Sequence, residues 1–364
     1  MNKKSIVLGL ISGTSADGLT ICAVCPHPFR VVAFKNYTYT PALQHKLLHA
    51  YMLSVPELSA LHYQLGDLYA RLTARFLKEF TFSPAQIAAA GVHGQTVYHG
   101  PHDKTPNTLQ IAEPSFLAVQ LGCPVVSDFR AADMALGGEG APLMPFFDNF
   151  LFGKKSPKIL LNLGGIANFS VAGKGIKPFG FDAGPANTLL DLACQKYFQK
   201  PFDKSGKLAA RGVPDKNAVA RLLAQPYFAQ KPPKSLDKNT FGEDYLHTHF
   251  KDIQNPYDLL ATLAYLTAAC VAKAVTDFVP HAYQREIVVS GGGAHNQTVL
   301  RFLSKLLPLV KIVTSDAYGI DPQAKEGAAF AFFAYKALQH KINHCARATG
   351  ARKNTVLGKI TYAN

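Results

Sequence analysis

Three times along this chain a short apolar run ends in small residues. Ile6 to Ile11 leads into Ser12-Gly13-Thr14-Ser15, Lys158 to Leu163 into Gly164-Gly165, and Glu286 to Ser290 into Gly291-Gly292-Gly293. Runs this short, bounded by glycine, read as buried strands delivering tight turns. Glycine at such a turn lets the backbone come close to a ligand. A chain punctuated this way has to fold around sheets whose strand ends present backbone donors.

Between these runs the period changes. Leu58, Leu61, Leu65, Leu68, Leu72 and Phe76 recur at steps of three and four, the stripe of an amphipathic helix. A second helix is expected from Asp258 to the break at Pro280, and a third, rich in Ala and Phe, from Glu326 to Leu338. The stretch from Ile21 to Ala33 reads as one further strand. From Pro201 to Gly242 the texture turns to Lys, Pro, Asp and Asn, as expected of surface loops over a few short helices. Strands alternating with helices give an α/β class. A length of 364 residues exceeds what one core usually serves, so two domains are expected.

Charge and cysteine narrow the functional classes. Lys plus Arg number 38 against 24 Asp plus Glu, a net +14. The basic residues are scattered, however, and clusters such as Lys154-Lys155 and Lys231-Pro-Pro-Lys234 are short and lack interleaved stacking aromatics. A solvated basic surface is therefore expected, with no nucleic-acid partner. Lys3-Lys4 followed by an apolar run imitates a signal peptide, but the run is short and Asp17 follows it. No stretch reads as a membrane span. A cytoplasmic protein without a membrane partner is the expectation. Of the six cysteines, only Cys22 and Cys25 form a Cys-x-x-Cys, without a partner pair at zinc spacing. They read as buried strand thiols.

Four constellations can carry chemistry. In Gly13-Thr14-Ser15-Ala16-Asp17-Gly18, backbone N–H groups and two hydroxyls can face phosphate oxygens, and Asp17 can hold Mg²⁺ directly or through water. No Gly-Lys-Ser/Thr follows, so it is not a Walker loop, and an ordinary turn is the alternative. Asp182 stands at a strand end before Gly184-Pro185. It can act as a general base, or it can cap the helix that begins there. Gly291-Gly292-Gly293 leaves a flat surface for a base or ribose, without the dinucleotide pattern Gly-x-Gly-x-x-Gly. Arg130 can pair with a substrate carboxylate as a fork, while His93 and His99 read as hydrogen-bonded structural residues.

Taken in order, the phosphate hairpin, second glycine turn, acidic strand end and triple glycine resemble the sugar kinase/Hsp70/actin superfamily. That resemblance implies a two-domain, ribonuclease H-like α/β fold with ATP in the interdomain cleft. Six segments sharpen the match: 13–18, 92–96, 128–142, Asn162-Leu-Gly-Gly-Ile-Ala-Asn168, Phe181-Asp-Ala-Gly-Pro-Ala-Asn187 and Gly291-Gly-Gly-Ala-His-Asn296. Together they resemble the anhydro-N-acetylmuramic acid kinase family over nearly the whole chain. The resemblance implies an ATP- and Mg²⁺-dependent enzyme of peptidoglycan recycling. Such an enzyme opens the 1,6-anhydro sugar with water and phosphorylates O6. By the same resemblance Asp182 is the base and Glu326 orients a substrate hydroxyl. The nucleotide contacts would be Gly13, Thr14, Ser15, Ala16, Asp17, Gly18, Leu19, Thr20, Asn162, Gly164, Gly165, Asn168, Gly291, Gly292, Gly293 and Asn296. Thr96, Arg130 and Asp133 would touch the amino sugar, and Asp17 the metal. The expected N-terminal domain is 1–132 plus 340–364, the C-terminal domain 133–339, and a homodimer is allowed. One position departs from the family pattern: an acidic residue is usual two places after Gly18, where this chain has Thr20. The competing readings are a sugar kinase that adds no water and a nucleotide binder without catalysis.

Overall fold

The computed structural model describes residues 5–232, 234–236 and 241–363. The Lys3-Lys4 pair lies outside them. The chain divides into two compact units, Met1–Phe147 with Ala324–Asn364, and Asp148–Gln323. The division differs from the expected boundaries, because 133–147 and 324–339 group with the first unit.

In the first unit, β1 (Ile6–Ser12), β2 (Gly18–Pro26) and β3 (Phe29–Thr38) form an antiparallel meander. The single strand expected from Ile21 to Ala33 is thus a hairpin, with its turn at His27 and Pro28. Next come β4 (Ile87–Gly100), β5 (Asn107–Ile111) and β6 (Val125–Ser127). β4 lies parallel to both β1 and β6, giving the order β6-β4-β1-β2-β3, with β5 paired to the end of β4. The C-terminal strand Lys359–Thr361 runs antiparallel to β6. The amphipathic helix Val55–Glu79 buries Leu61, Leu65 and Phe76 on the core, as its stripe predicts.

The other face of the sheet explains why the late segment belongs here. Gly9 on β1 and Gly91 on β4 are register partners, and the helix Lys325–Leu338 lies directly on them. A Cβ built at Gly9 would stand 1.9 Å from the Gly327 carbonyl oxygen, and one at Gly91 2.2 Å from that of Phe330. Only paired glycines allow backbone to touch backbone this closely. The helix is almost wholly buried, with Phe330, Phe332 and Phe333 filling the space around it.

The second unit holds β7 (Lys158–Leu163), β8 (Ile166–Ala172), β9 (Phe179–Pro185), β10 (Glu286–Ser290) and β11 (Lys311–Thr314). Their order is β11-β10-β7-β8-β9, with β7, β10 and β11 parallel and β8 and β9 antiparallel. This repeats the order and directions of β6-β4-β1-β2-β3. The fold is α/β, a duplicated ribonuclease H-like sheet of the sugar kinase and actin type.

The helix Pro256–Phe278 corrects one expectation: by length and hydropathy it could cross a membrane. Most of it is packed inside the second unit, so it is a core helix. From 201 to 242 the described residues form short helices, as expected. All six cysteines are free thiols, and Cys25 and Cys345 alone are partly exposed. Burial pushes the Cys22 and Cys270 thiols far above the usual range, which suits packing rather than redox chemistry.

Candidate active site

The β1–β2 turn is held open from several sides. Ala16 is fully buried with a left-handed φ of 49° and donates its N–H to the Gly13 carbonyl. Its burial anchors the turn while Ser15 and Asp17 stay exposed. Ser15 Oγ donates to Asp17 Oδ1 at 3.0 Å, the Gln44 amide donates to the Ser15 carbonyl, and Tyr39 N–H to the Asp17 carbonyl. From β4, Gln95 takes the Ser12 hydroxyl on Oε1 and donates Nε2 to the Gly13 carbonyl at 3.1 Å. Gln95 was not among the expected site residues. Its signal was its place beside Thr96, in a polar run inside an apolar strand.

Thr20 lies on β2, and its hydroxyl donates to Asn36 Oδ1 on β3 at 2.6 Å. Its methyl group faces Gly327, the residue after Glu326. The hairpin and the start of helix Lys325–Leu338 therefore lie together, and Glu326 is half-exposed there. Thr96 is buried and accepts from the Gln110 amide at 3.4 Å, which leaves its own proton to donate.

Arg130 rests on His93. Its Nε and Nη2 lie 3.2 and 3.1 Å from His93 Nε2, while Nδ1 faces the Gly94 carbonyl. The ring must then be neutral, with its proton on Nδ1 and its lone pair toward the guanidinium. Burial, then the Arg130 charge, push the His93 pKa down to about 3. His99 is lowered to about 3 by the same two causes, with His102 adding to them. His93 and His99 are each hydrogen-bonded within the fold, to the Gly94 carbonyl and the Thr108 hydroxyl.

Asp133 is turned into the fold. It is completely buried, and its carboxylate takes the Gly140 N–H at 2.6 Å, the Thr349 hydroxyl and the His344 ring. Burial pushes its pKa up, but these bonds outweigh it and hold the group below the usual range. Asp133 fastens the 137–142 loop to the C-terminal segment, so the expected substrate contact is corrected to a structural one.

In the second unit the expected residues converge on one strip of sheet. Ser290, Asn162, Asn168 and Asp182 are successive register partners across β10, β7, β8 and β9. Directly opposed residues point to the same face, so the four side chains form a polar row across the sheet. The two-residue turn Gly164-Gly165 sits beside this row. Its carbonyls accept the N–H groups of Ala186, Asn187 and Thr188, which open the helix Asn187–Phe198. Asn187, absent from the expected set, bridges two glycine turns. Its amide donates to the Leu163 carbonyl at 3.0 Å, and its oxygen lies 3.0 Å from where a Cβ on Gly293 would stand.

Gly291 has φ of 83°, and its N–H donates to the Pro322 carbonyl. A Cβ there would come within 2.5 Å of Asn162 Oδ1. Gly291 is thus closely backed by the polar row, and Gly292–His295 coils into a 3₁₀ turn rather than the flat surface expected. Asn296 is buried and accepts from Thr298 N–H and Val299 N–H, capping the helix Gln297–Leu306. Its side-chain oxygen is committed to that cap.

Asp182 is half-exposed at the edge of the row. Its Oδ2 accepts Leu236 N–H at 2.9 Å, and it lies midway along β9 rather than at the expected strand end. Among the described residues no three His, Cys, Asp or Glu side chains gather as a metal cage.

Residues 5–363 match the family model for anhydro-N-acetylmuramic acid kinase. Proteins of that name from three bacteria align with the chain from end to end. The one from Salinibacter ruber is 38% identical, covering 98% of this chain and 96% of its own. That from Coxiella burnetii is 36% identical, at 99% and 98% coverage. That from Caldanaerobacter subterraneus subsp. tengcongensis is 34% identical, at 99% and 97%.

Proposed function

The chain belongs to the anhydro-N-acetylmuramic acid kinase family and is a kinase acting on a small sugar, and on that premise we propose that it opens 1,6-anhydro-N-acetylmuramic acid with water while phosphorylating O6 from ATP. The observation carrying this reading is the polar row ending in Asp182, a half-exposed carboxylate held midway along β9. A kinase that acts on a free hydroxyl and one that must also activate water both need such a base. In the anhydro sugar C1 and O6 share one acetal, so O6 becomes a nucleophile only when C1–O6 breaks. Asp182 takes the proton from the water that attacks C1, the C1–O6 bond breaks, and O6 bonds to the γ-phosphorus as its bond to ADP breaks. Glu326, half-exposed at the start of its helix, orients a substrate hydroxyl.

The residues present fit ATP. The Gly291-Gly292-Gly293 turn, whose first and third glycines pack against Leu163 where a Cβ would clash, offers bare backbone to the adenosine. The exposed hydroxyl of Ser15 and the backbone of 13–18 suit phosphate oxygens. Mg²⁺ needs one or two carboxylates besides phosphate and water, and exposed Asp17 meets that need. When bound, the ion neutralises charge on the transferred phosphoryl group. Thr20 supplies no carboxylate and is tied to Asn36, so Asp17 carries the metal contact from this hairpin. Arg130, aimed by neutral His93, takes the lactyl carboxylate, and Thr96 donates to the sugar. Asp133 and Asn296 serve the surrounding architecture. We place the reaction in the cytoplasm, in peptidoglycan recycling.

Asp182→Asn keeps the size and loses the base. Its kcat should fall by about 10²–10⁴ while nucleotide still binds, measured by ADP release and by calorimetry. An unchanged kcat would remove Asp182 from this role.

A further inference from the structure

Asp182 is gripped by a segment some fifty residues away in sequence. Tyr227 Oη donates to the Asp182 carbonyl at 2.6 Å, Asp182 N–H donates to the Lys234 carbonyl at 3.2 Å, and Leu236 N–H donates to Asp182 Oδ2 at 2.9 Å. Backbone donor, backbone acceptor and carboxylate are held by Lys234, Tyr227 and Leu236 respectively. The segment is itself closed by a buried lysine. Lys234 is 3% exposed, and its Nζ donates to the Tyr227 carbonyl at 3.0 Å. The ammonium also lies over three rings, 4.5 Å from Tyr227, 4.8 Å from Phe278 and 5.4 Å from Phe181, the neighbour of Asp182.

A lysine buried this deeply is costly unless it does something that a methionine would not. We infer that Tyr227 and Lys234 are positioning residues for the reaction, forming a strap that fixes the direction of the Asp182 carboxylate and lends it a nearby positive charge. The inference rests on Asp182 being the base. Both act through Asp182: Tyr227 holds its carbonyl, and Lys234 holds its N–H and adds the charge, while Leu236, two residues on, holds the carboxylate. The charges facing Lys234 are Asp277 and Lys273 with the Cys270 thiol on the helix Pro256–Phe278, and Asp182 on β9. Burial, opposed first by Asp277, brings its pKa down to about 8. The strap therefore loses its cation within reach of ordinary assay pH.

Tyr227→Phe, Lys234→Met and Lys234→Arg, with Asp182→Asn alongside, test this in the full chain by kcat, KM, pH profile and melting temperature. Misaiming a base without removing it costs less than deleting it, so Tyr227→Phe and Lys234→Met should each lower kcat by about 10- to 100-fold. Both KM values should stay within about two-fold, the signature of a loss felt after binding. In Lys234→Met the acid limb of kcat should move to higher pH, because removing a cation raises the carboxylate pKa. In Lys234→Arg kcat should return to within about three-fold of wild type, and the alkaline limb near pH 8 should disappear, since guanidinium stays charged. Wild-type kcat and pH limbs in Tyr227→Phe and Lys234→Met, beside an inactive Asp182→Asn, would overturn the strap and leave the base intact. Activity lost only in proportion to unfolded protein would overturn it equally. Should Lys234→Met not fold, Tyr227→Phe decides alone. An active Asp182→Asn would overturn both readings.

Discussion

Substituting Gly9 by alanine adds one methyl group where the structure has no room for it. The new Cβ would stand 1.9 Å from the Gly327 carbonyl oxygen and 2.6 Å from the Ala331 nitrogen, both backbone atoms of the helix Lys325–Leu338. A side chain could rotate away, but a helix backbone cannot. The helix must retreat by about 1 Å to restore ordinary contact, against a core packed at crystal-like density. Overpacking of this kind costs typically about 1–3 kcal/mol, and a backbone obstacle belongs at the upper end. For a unit of about 150–250 residues each kcal/mol lowers Tm by roughly 2–4 °C, so a fall of about 6–12 °C is expected. The retreat also shifts Glu326, at the first turn of that helix, away from the hairpin end of β2. Catalysis should then fall more than the loss of folded protein explains. Scanning calorimetry and ADP release at a temperature well below both transitions separate the two effects. A Gly9→Ala protein melting within about 1 °C of wild type, with unchanged kcat, would show that this glycine does not set the position of the helix.

Two further outcomes follow from the first unit. His93 is neutral when folded, with its pKa lowered to about 3, whereas an unfolded histidine titrates near 6.5. The unfolded chain therefore binds the extra proton first, and stability is lost as pH falls below about 6.5. Between pH 6.5 and 5 this one group should account for about 2 kcal/mol, read from urea midpoints, and His93→Gln should lack that component. Asp133→Ala leaves Gly140 N–H, Thr349 and His344 buried without their acceptor. It should cost about 3–5 kcal/mol by the same measurement, and a loss below about 1 kcal/mol would contradict the structural role.

The local grammar of this fold was open to reading, and its long-range geometry was not. Apolar runs ending in glycine marked β1, β7 and β10 because strand and turn are decided within a few residues. The stripe from Leu58 to Phe76 marked its helix for the same reason. The hairpin at His27 and Pro28 was missed because apolar residues continue on both sides of it. Nothing near Gly9 announces that it pairs with Gly91 and lies under Gly327, so the expected domain boundaries divided a helix from the sheet that seats it. The site shows the same limit. The glycine turns and Asp182 announce themselves by residue type, and their order along the chain pointed to a kinase. Asp133 looked like a polar residue near a ligand, and only the fold brings His344 and Thr349 against it. Lys234 looked like part of a solvated basic cluster, although it is buried beside Phe181.

The central claim is that one active site both opens the anhydro ring with water and transfers phosphate. Its most direct test is a coupled ADP-release assay with 1,6-anhydro-N-acetylmuramic acid, ATP and Mg²⁺ in ¹⁸O-labelled water, with the product weighed by mass spectrometry. The account predicts sugar-dependent ADP release and a product heavier than the substrate by one phosphate and one water, with the label at C1. Phosphorylation without the added water, or ADP release that ignores the sugar, would contradict it.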